Sequence, residues 1–185
     1  MSTTTARPDP AELEAVPRHL AFIGMGGNLG DVRAGLLSAL AGMAALPGTA
    51  LAGVSSVYRT RPVDAGGPDY LNAVAVLQSA LGPQELLRGL QGLEKAHDRE
   101  RPFQNAPRTL DLDLLWYGGR QLHSPTLTLP HPRMMQRAFV LVPLTEVLAK
   151  QVGGMASALA AALPAQADIG ALAAAQGIEK LGELA

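Results

Sequence analysis

The sequence predicts an α+β fold, a ferredoxin-like split βαβ sandwich with an antiparallel sheet and added C-terminal helices. Between residues 20 and 117, strand-like runs and helical stripes follow the order strand, helix, strand, strand, helix, strand. The chain has 185 residues, of which 48% are hydrophobic, enough to bury one core. We expect a single domain over residues 19–185, after a disordered leader at residues 1–18 that has three prolines and no apolar block.

The first half of the predicted fold begins with a buried strand over residues 20–25, which ends at Gly26-Gly27-Asn28. Pro47-Gly48 ends the helix that follows. The apolar stripe of this helix comprises Val32, Leu36, Leu37, Leu40 and Met43. Residues 50–58 and 70–78 have strand patterns, with a long loop over 59–69 between them.

The second half begins at Pro83, which suits the start of a helix with a buried stripe of Leu86, Leu87, Leu90 and Leu93. Residues 97–107 are polar, charged and twice interrupted by proline, which is typical of a functional loop. Residues 109–117 form the next strand, and Gly118-Gly119 turns the chain into a short strand near 121–122. We expect a helix over 134–149 and an Ala-rich helical tail over 150–185, with small helices around 156–163 and 169–181.

Composition excludes several classes of function. With 15 basic and 16 acidic residues, the net charge of −1 argues against nucleic-acid and anionic-membrane partners. The absence of cysteine excludes disulfides, Cys-ligated zinc and thiolate catalysis. Twelve of the 15 basic residues are arginine, the side chain that binds phosphate or carboxylate in a bidentate manner. Without a signal peptide or membrane anchor, we expect a cytoplasmic protein.

The most informative segment is the strand that contains Asp111 and Asp113. Side chains alternate along a strand, so the leucines between and beside these residues face the core while both aspartates share the other face. Two carboxylates at this spacing suit Mg²⁺, which also takes water and phosphate oxygens. A solvated strand face is the plainer interpretation of any Asp-x-Asp. The charged loop and Arg108 beside this one favour the metal site.

Arginine is concentrated around this strand. Residues 99–137 carry six basic side chains against three acids, a net charge of +3. The six are Arg99, Arg101, Arg108, Arg120, Arg133 and Arg137. Metal-binding acids interleaved with guanidiniums match a nucleoside triphosphate better than a long nucleic acid, although a solvated Arg-rich loop is the alternative for Arg99 and Arg101 alone.

Five ordered motifs resemble those of the 6-hydroxymethyl-7,8-dihydropterin pyrophosphokinases, folate-pathway enzymes that move a diphosphate from ATP to a pterin alcohol. The likeness runs from about residue 19 to 148. The motifs are Gly26-Gly27-Asn28-Leu29-Gly30, Tyr58-Arg59-Thr60-Arg61-Pro62, Pro68-Asp69-Tyr70-Leu71-Asn72-Ala73, Pro107-Arg108-Thr109-Leu110-Asp111-Leu112-Asp113, and Pro130-His131 with Arg137-Ala138-Phe139. Departures are Gly27 for a frequent Ser, Arg61 for a common Pro, a charged loop about one residue shorter, and Gln104-Asn105 for an Arg-Trp pair.

The resemblance implies a pterin site and a two-ion magnesium site. Asp111 and Asp113 match the ligands of two Mg²⁺ ions bound with ATP. Tyr70 and Phe139 match an aromatic pair that sandwiches the pterin, and Asn72 matches an amide that hydrogen-bonds its edge. Thr60 and Val63 match loop positions that contact the pterin mainly through backbone. From the residues alone, the two aromatic side chains are equally well explained as core.

The resemblance also implies a nucleotide site. It comprises Gln91, Glu94, Arg108, Leu114, Leu127, Thr128, His131 and Arg137, while Arg99, Arg101 and Arg108 match catalytic groups at the triphosphate. From the pattern alone, Gln91 and Glu94 are a solvated helix face, and a lone histidine such as His131 is more often structural. We expect a monomer that binds ATP and the pterin alcohol.

The expected reaction is an in-line attack by the hydroxymethyl oxygen of the pterin on the β-phosphorus of ATP, with release of AMP and no obvious general base. Two other functions stay open for such a fold. One is a ferredoxin-like RNA-binding module, which would need aromatic and basic residues on an open sheet face. The other is metal-dependent phosphodiester hydrolysis.

Overall fold

A six-stranded sheet organises the computed structural model, which describes residues 18–62, 67–97, 109–150 and 156–184. The strands are β1 (His19–Gly27), β2 (Thr49–Val54), β3 (Ser56–Thr60), β4 (Tyr70–Ser79), β5 (Asp111–Tyr117), β6 (Leu122–His123), β7 (Thr128–Leu129) and β8 (Glu179–Glu183). The helices are α1 (Val32–Ala44), α2 (Pro83–Ala96), α3 (Ala138–Lys150), α4 (Ser157–Ala162) and α5 (Gln166–Gln176). The order of the main sheet is β5-β1-β4-β3-β8, and β2 also pairs with β4, whereas β6 and β7 form a separate ribbon.

All described strand pairings are antiparallel, and β4 lies between β1 and the β2–β3 segment, as in a split βαβ fold. The α+β class with an antiparallel sheet is confirmed. The second strand of the sequence prediction is in fact two strands, because Ser55 interrupts it. The hydroxyl of Ser55 accepts the Val74 N–H at 2.9 Å and donates to the Ser56 carbonyl at 2.7 Å.

Helices α1 and α2 cover one face of the sheet. Asp31 begins α1 by accepting the Ala34 N–H at 3.0 Å. The leucines of β5 on this face are buried with the helix stripes, as predicted; this core includes Ile23, Leu36, Leu40, Leu86, Leu90, Leu110, Leu112 and Leu114. Leu37 does not belong to the stripe, because it is 41% exposed on the outer side of α1.

Helix α3 packs on the other face of the sheet. Its side chains Val140, Leu144 and Val147 join a second buried cluster with Phe22 and Trp116, whose rings meet edge to face at 5.6 Å between centroids. The predicted helix over 134–149 is divided, because a 3₁₀ turn at Met134–Gln136 precedes α3. This face is therefore covered by helix rather than open.

The C-terminal segment differs from the prediction at its end. Helices α4 and α5 form, but the helix expected over 169–181 stops at Gln176, because Gly177 has a φ of 62° and reverses the chain. Residues 179–183 instead form β8, paired with β3. Leu184 is buried in the α1–α2 core, and the Arg33 guanidinium donates to the carbonyls of Glu183 and Leu184.

Some predictions concern residues 1–17, 63–66, 98–108, 151–155 and 185, which lie outside the described residues. They include the disordered leader and most of the charged loop. Within the described ranges, no helix is long and apolar enough to span a membrane.

Candidate active site

A cavity of 380 Å³ lies on the α3 side of the sheet, where β1, β4 and β5 meet. Its floor includes Gly24 and Gly26 of the central strand β1, which pair with Asp113 and Asp111 of β5. Directly paired antiparallel residues point to the same face, so both aspartates project on the cavity side. Because glycine has no side chain, β1 leaves open space between β5 and β4.

Asn72 lies across β1 from Asp111, and its side chain contacts Gly26 of β1 and Thr60 of β3. It pairs with Gly26, and a Cβ at position 26 would come within 2.8 Å of the Asn72 Oδ1. The Asn72 Nδ2 donates to the buried Thr60 Oγ1 at 2.9 Å, and Tyr70, two residues before Asn72 in β4, pairs with Thr60. Tyr70, Asn72 and Thr60 thus all line the cavity.

Phe139 and Arg137, at the start of α3, line the same cavity. The Arg137 guanidinium lies 5.4 Å from the centroid of the Phe139 ring, and its Nη1 is 4.0 Å from the Asp113 Oδ2. The structure brings Tyr70 and Phe139, the aromatic pair that the resemblance implies, to one cavity. Val63, which was grouped with them, lies outside the described residues.

A second cavity of 330 Å³ lies between α2 and the segment that contains β7. It contains six of the residues predicted for the nucleotide: Gln91, Glu94, Leu114, Leu127, Thr128 and His131. Arg137, predicted with that group, lines the first cavity instead. Asp113 lines both cavities, so this residue lies at their junction.

Glu94 is buried, with only 3% of its surface exposed, which corrects its interpretation as a solvated helix position. Its Oε1 accepts the backbone N–H of Leu112 at 3.0 Å. Leu112 lies between Asp111 and Asp113 on the edge strand of the sheet, where a backbone N–H that points away from β1 needs another partner. Glu94 thereby ties α2 to the carboxylate-bearing part of β5, while Gln91 remains exposed.

His131 lines the second cavity. Its Nδ1 accepts the Arg133 backbone N–H at 3.2 Å, so in the neutral ring the proton is on Nε2. Burial lowers the pKa of His131, and the nearby Arg137 and Arg133 charges lower it further against the opposing effect of Asp113. The imidazole can therefore donate one hydrogen bond from Nε2.

The donor set of Asp111 and Asp113 fits a magnesium ion that is shared with a phosphate ligand. Within the part of the chain that the structure describes, no group of three or more His, Cys, Asp or Glu side chains is placed to hold a metal alone. Mg²⁺ keeps several waters and takes phosphate oxygens beside one or two carboxylates. The arginines predicted to act at the triphosphate, Arg99, Arg101 and Arg108, lie outside the described residues.

Several residues of the first cavity were not assigned to a site from the sequence: Gly24, Arg61, Arg133, Gln136 and Gln176. Gly24 and Gly26, two apart in an apolar strand, carry a signal that could have been used, since glycine inside a strand marks a close approach. Gln176 carries none, because nothing local distinguishes it from the other polar residues of the Ala-rich tail.

Comparison with known proteins gives one consistent family. A family model described as 7,8-dihydro-6-hydroxymethylpterin-pyrophosphokinase (HPPK) matches residues 22–149. A 2-amino-4-hydroxy-6-hydroxymethyldihydropteridine pyrophosphokinase of Synechocystis is 46% identical over 129 residues, which are 70% of this chain and 66% of that protein. The enzyme of the same name from Pseudomonas aeruginosa is 40% identical over 68% of this chain and 78% of its own length.

A solved structure shares the fold. It is described as HPPK-DHPS in complex with substrates, and it aligns with a TM-score of 0.53 at 12% identity. The alignment covers 76% of this chain and 43% of that longer chain. Because the identity is only 12%, the likeness supports the architecture alone.

Proposed function

The chain belongs to the 7,8-dihydro-6-hydroxymethylpterin-pyrophosphokinase family, and from that premise we propose how its two cavities divide the reaction. Membership makes it a pteridine diphosphokinase, a transferase of folate biosynthesis. We propose that the first cavity binds 6-hydroxymethyl-7,8-dihydropterin and the second binds ATP. The diphosphate passes from ATP to the hydroxymethyl oxygen, and AMP leaves.

The main support for assigning one substrate to each cavity is the position of Asp113, which lines both cavities. A group transfer needs donor and acceptor to meet, and a carboxylate at the junction lies beside the transferred phosphates in such an arrangement. Asp111 projects from the same face of β5 and lines the acceptor cavity. These two residues would hold Mg²⁺, which supplies neutralisation of the phosphate charge when it is bound.

In the acceptor cavity, the Tyr70 and Phe139 rings suit a flat heterocycle that stacks between them. One amide hydrogen of Asn72 is donated to Thr60, which fixes the plane of the amide. Its other N–H and its carbonyl oxygen can then pair with the edge of a pterin ring. Arg137, between Phe139 and Asp113, places a positive charge near the transferred group.

In the nucleotide cavity, Leu114 and Leu127 provide apolar contact for a base, while Thr128, Gln91 and the His131 Nε2 provide hydrogen bonds. We propose that Arg99, Arg101 and Arg108 complete the charge neutralisation around the triphosphate. No described side chain is required as a general base, because positioning and electrostatic stabilisation dominate such transfers. The monomeric state and the cytoplasmic location expected from the sequence remain predictions.

The deciding experiment measures AMP released from ATP with and without 6-hydroxymethyl-7,8-dihydropterin and Mg²⁺. We expect release that requires both. The Asp113→Ala variant should lower turnover at least about a thousandfold with little change in melting temperature, since Asp113 is half exposed and its loss removes a proposed ligand of the Mg²⁺ that would neutralise the phosphate charge. The Asp168→Ala variant, an exposed acid of α5, is the matched control and should retain full activity.

The same assay separates the two alternatives. Pterin-independent hydrolysis of phosphodiesters would indicate the hydrolase. RNA binding without AMP release would indicate the binding module, although α3 covers the sheet face that such a module uses. Undiminished AMP release by Asp113→Ala would remove the proposed role of the carboxylate pair.

A further inference from the structure

Gln176, the last residue of α5, lines the acceptor cavity although it lies beyond residues 22–149, the part of the chain that matches the family. Both polar atoms of its side chain are engaged. The Oε1 accepts the backbone N–H of Ala138 at 2.9 Å, and the Nε2 donates to the Gln136 carbonyl at 3.1 Å. One side chain therefore holds the backbone of residues 136–138 by two hydrogen bonds, which we call the clamp.

The clamped stretch carries two groups of the acceptor cavity. Arg137 lies between the two clamped residues, and Phe139 follows directly. Ala138 is the first residue of α3, so its N–H has no partner within the helix and would otherwise lack one. Gln176 thus caps the helix from outside and fixes the junction between the 3₁₀ turn and α3.

Gln176 is itself firmly placed. The N–H of Gly177 donates to the Ala174 carbonyl and the N–H of Ile178 donates to the Ala173 carbonyl, which is a Schellman motif at the end of α5. The chain then enters β8, which pairs with β3 in the main sheet. Gln176 is therefore connected through β8 to the same sheet whose strand β4 carries Tyr70.

We propose that Gln176 is a positioning residue for the pterin site, acting through the 136–139 backbone to hold the Phe139 ring in the cavity that Tyr70 also lines. This inference rests on the proposed function, because it takes the pterin to bind between these two rings. Gln176 acts on the cavity wall through these two hydrogen bonds, and its second N–H is not needed for that role. The Ala-rich tail thereby contributes to substrate binding.

The first test replaces Gln176 with methionine, which has a similar volume and neither hydrogen bond. Gln166→Met, at the exposed first turn of the same helix, is the matched control. Calorimetry gives the dissociation constant of 6-hydroxymethyl-7,8-dihydropterin in the presence of Mg²⁺ and a non-hydrolysable ATP analogue. We expect Gln176→Met to raise it about tenfold while the dissociation constant of the ATP analogue changes less than about twofold. Gln166→Met should change neither.

A double-mutant cycle with Phe139→Ala separates positioning from a general loss of structure. If Gln176 acts through the ring, Gln176→Met should weaken pterin binding less than about twofold in the Phe139→Ala background. A tenfold effect in both backgrounds would overturn the proposal, and so would parental pterin binding by Gln176→Met.

Two further variants test the proposed pterin site separately from the role of Gln176. Tyr70→Ala and Phe139→Ala should each weaken pterin binding in the parent background. If neither does, the pterin site itself is misplaced. If both do and Gln176→Met behaves as Gln166→Met, the clamp alone is wrong.

Discussion

Gly26 lies on the central strand between Asp111 and Asn72, and a Cβ at this position would come within 2.8 Å of the Asn72 Oδ1. Real Cβ contacts are not this short, so the Asn72 amide would have to rotate and lose its hydrogen bond to Thr60. We expect Gly26→Ala to raise the dissociation constant of the pterin about tenfold, because an unpaired or misaligned amide loses one to two hydrogen bonds. Calorimetry with the pterin alcohol measures it.

Gly92→Ala is the control for this substitution. Gly92 lies in α2 with open space around its hydrogen, so alanine there should leave pterin affinity unchanged and raise stability by up to about 1 kcal/mol. Equal pterin affinity of the Gly26→Ala and parent proteins would show that the close approach of Gly26 and Asn72 is not needed for binding.

At the level of single residues, the sequence is most informative where alternation decides which way a side chain points. Asp111 and Asp113 share a face because a strand has a period of two, and their placement could be predicted. The burial of Glu94 could not, because the helical stripe of leucines puts this residue only at its margin. Its environment depends on the edge of β5, which comes from a distant part of the chain.

Between elements, the contact of Glu94 with β5 joins α2 to the sheet. We expect Glu94→Ala to lower the free energy of unfolding by about 2 kcal/mol, because the Leu112 N–H is left buried without its acceptor. Urea denaturation gives this value. Lys95→Ala, one residue along and exposed, should change it by less than about 0.5 kcal/mol. Similar losses in both variants would mean that the helix, and not the contact, is responsible.

Glu146 joins α3 to β3 through a network of buried donors. Its carboxylate accepts the Ser56 N–H and hydroxyl and the Tyr58 hydroxyl, the last at 2.7 Å, and Lys150 and Lys180 lie beside it. Burial opposes ionisation, but the hydrogen bonds from Lys150, Tyr58 and Ser56 outweigh it and lower the pKa of Glu146 from 4.5 to about 2. The charged form is therefore favoured by folding.

This lowered pKa predicts how stability depends on pH. A carboxyl whose pKa is lower in the folded state stabilises the fold above its unfolded pKa, and this contribution is lost as the pH falls from 4.5 towards 2. Glu146→Gln should cost about 2 kcal/mol at pH 7 and flatten the loss of stability between pH 5 and pH 2. Urea denaturation at several pH values gives the free energy of unfolding and so measures both effects. Glu183→Gln, an exposed acid of β8, should keep the parental slope, and a parental slope in Glu146→Gln would contradict the assignment.

For the whole molecule, the α+β class and the order of strands and helices over residues 20–117 could be predicted from the sequence, because each half carries a strand, an amphipathic helix and a strand. The C-terminal segment could not. Strand β8 has the sequence Glu-Lys-Leu-Gly-Glu at a sheet edge, with most of its residues exposed, so no apolar alternation marks it. The alanine-rich residues that precede it favour a helix, and only pairing with β3 makes residues 179–183 a strand.

Leu184 tests whether this last segment is part of the core. It is 2% exposed among the α1 and α2 side chains, whereas Leu181, three residues earlier, is 44% exposed. Leu184→Ala should lower the free energy of unfolding by about 2–4 kcal/mol through lost apolar burial and the cavity that remains. Leu181→Ala should change it by less than about 0.5 kcal/mol. Equilibrium urea unfolding compares the two, and equal small effects would mean that the chain end is not needed to close the core. The predicted difference would instead make the tail that places Gln176 an integral part of the folded unit.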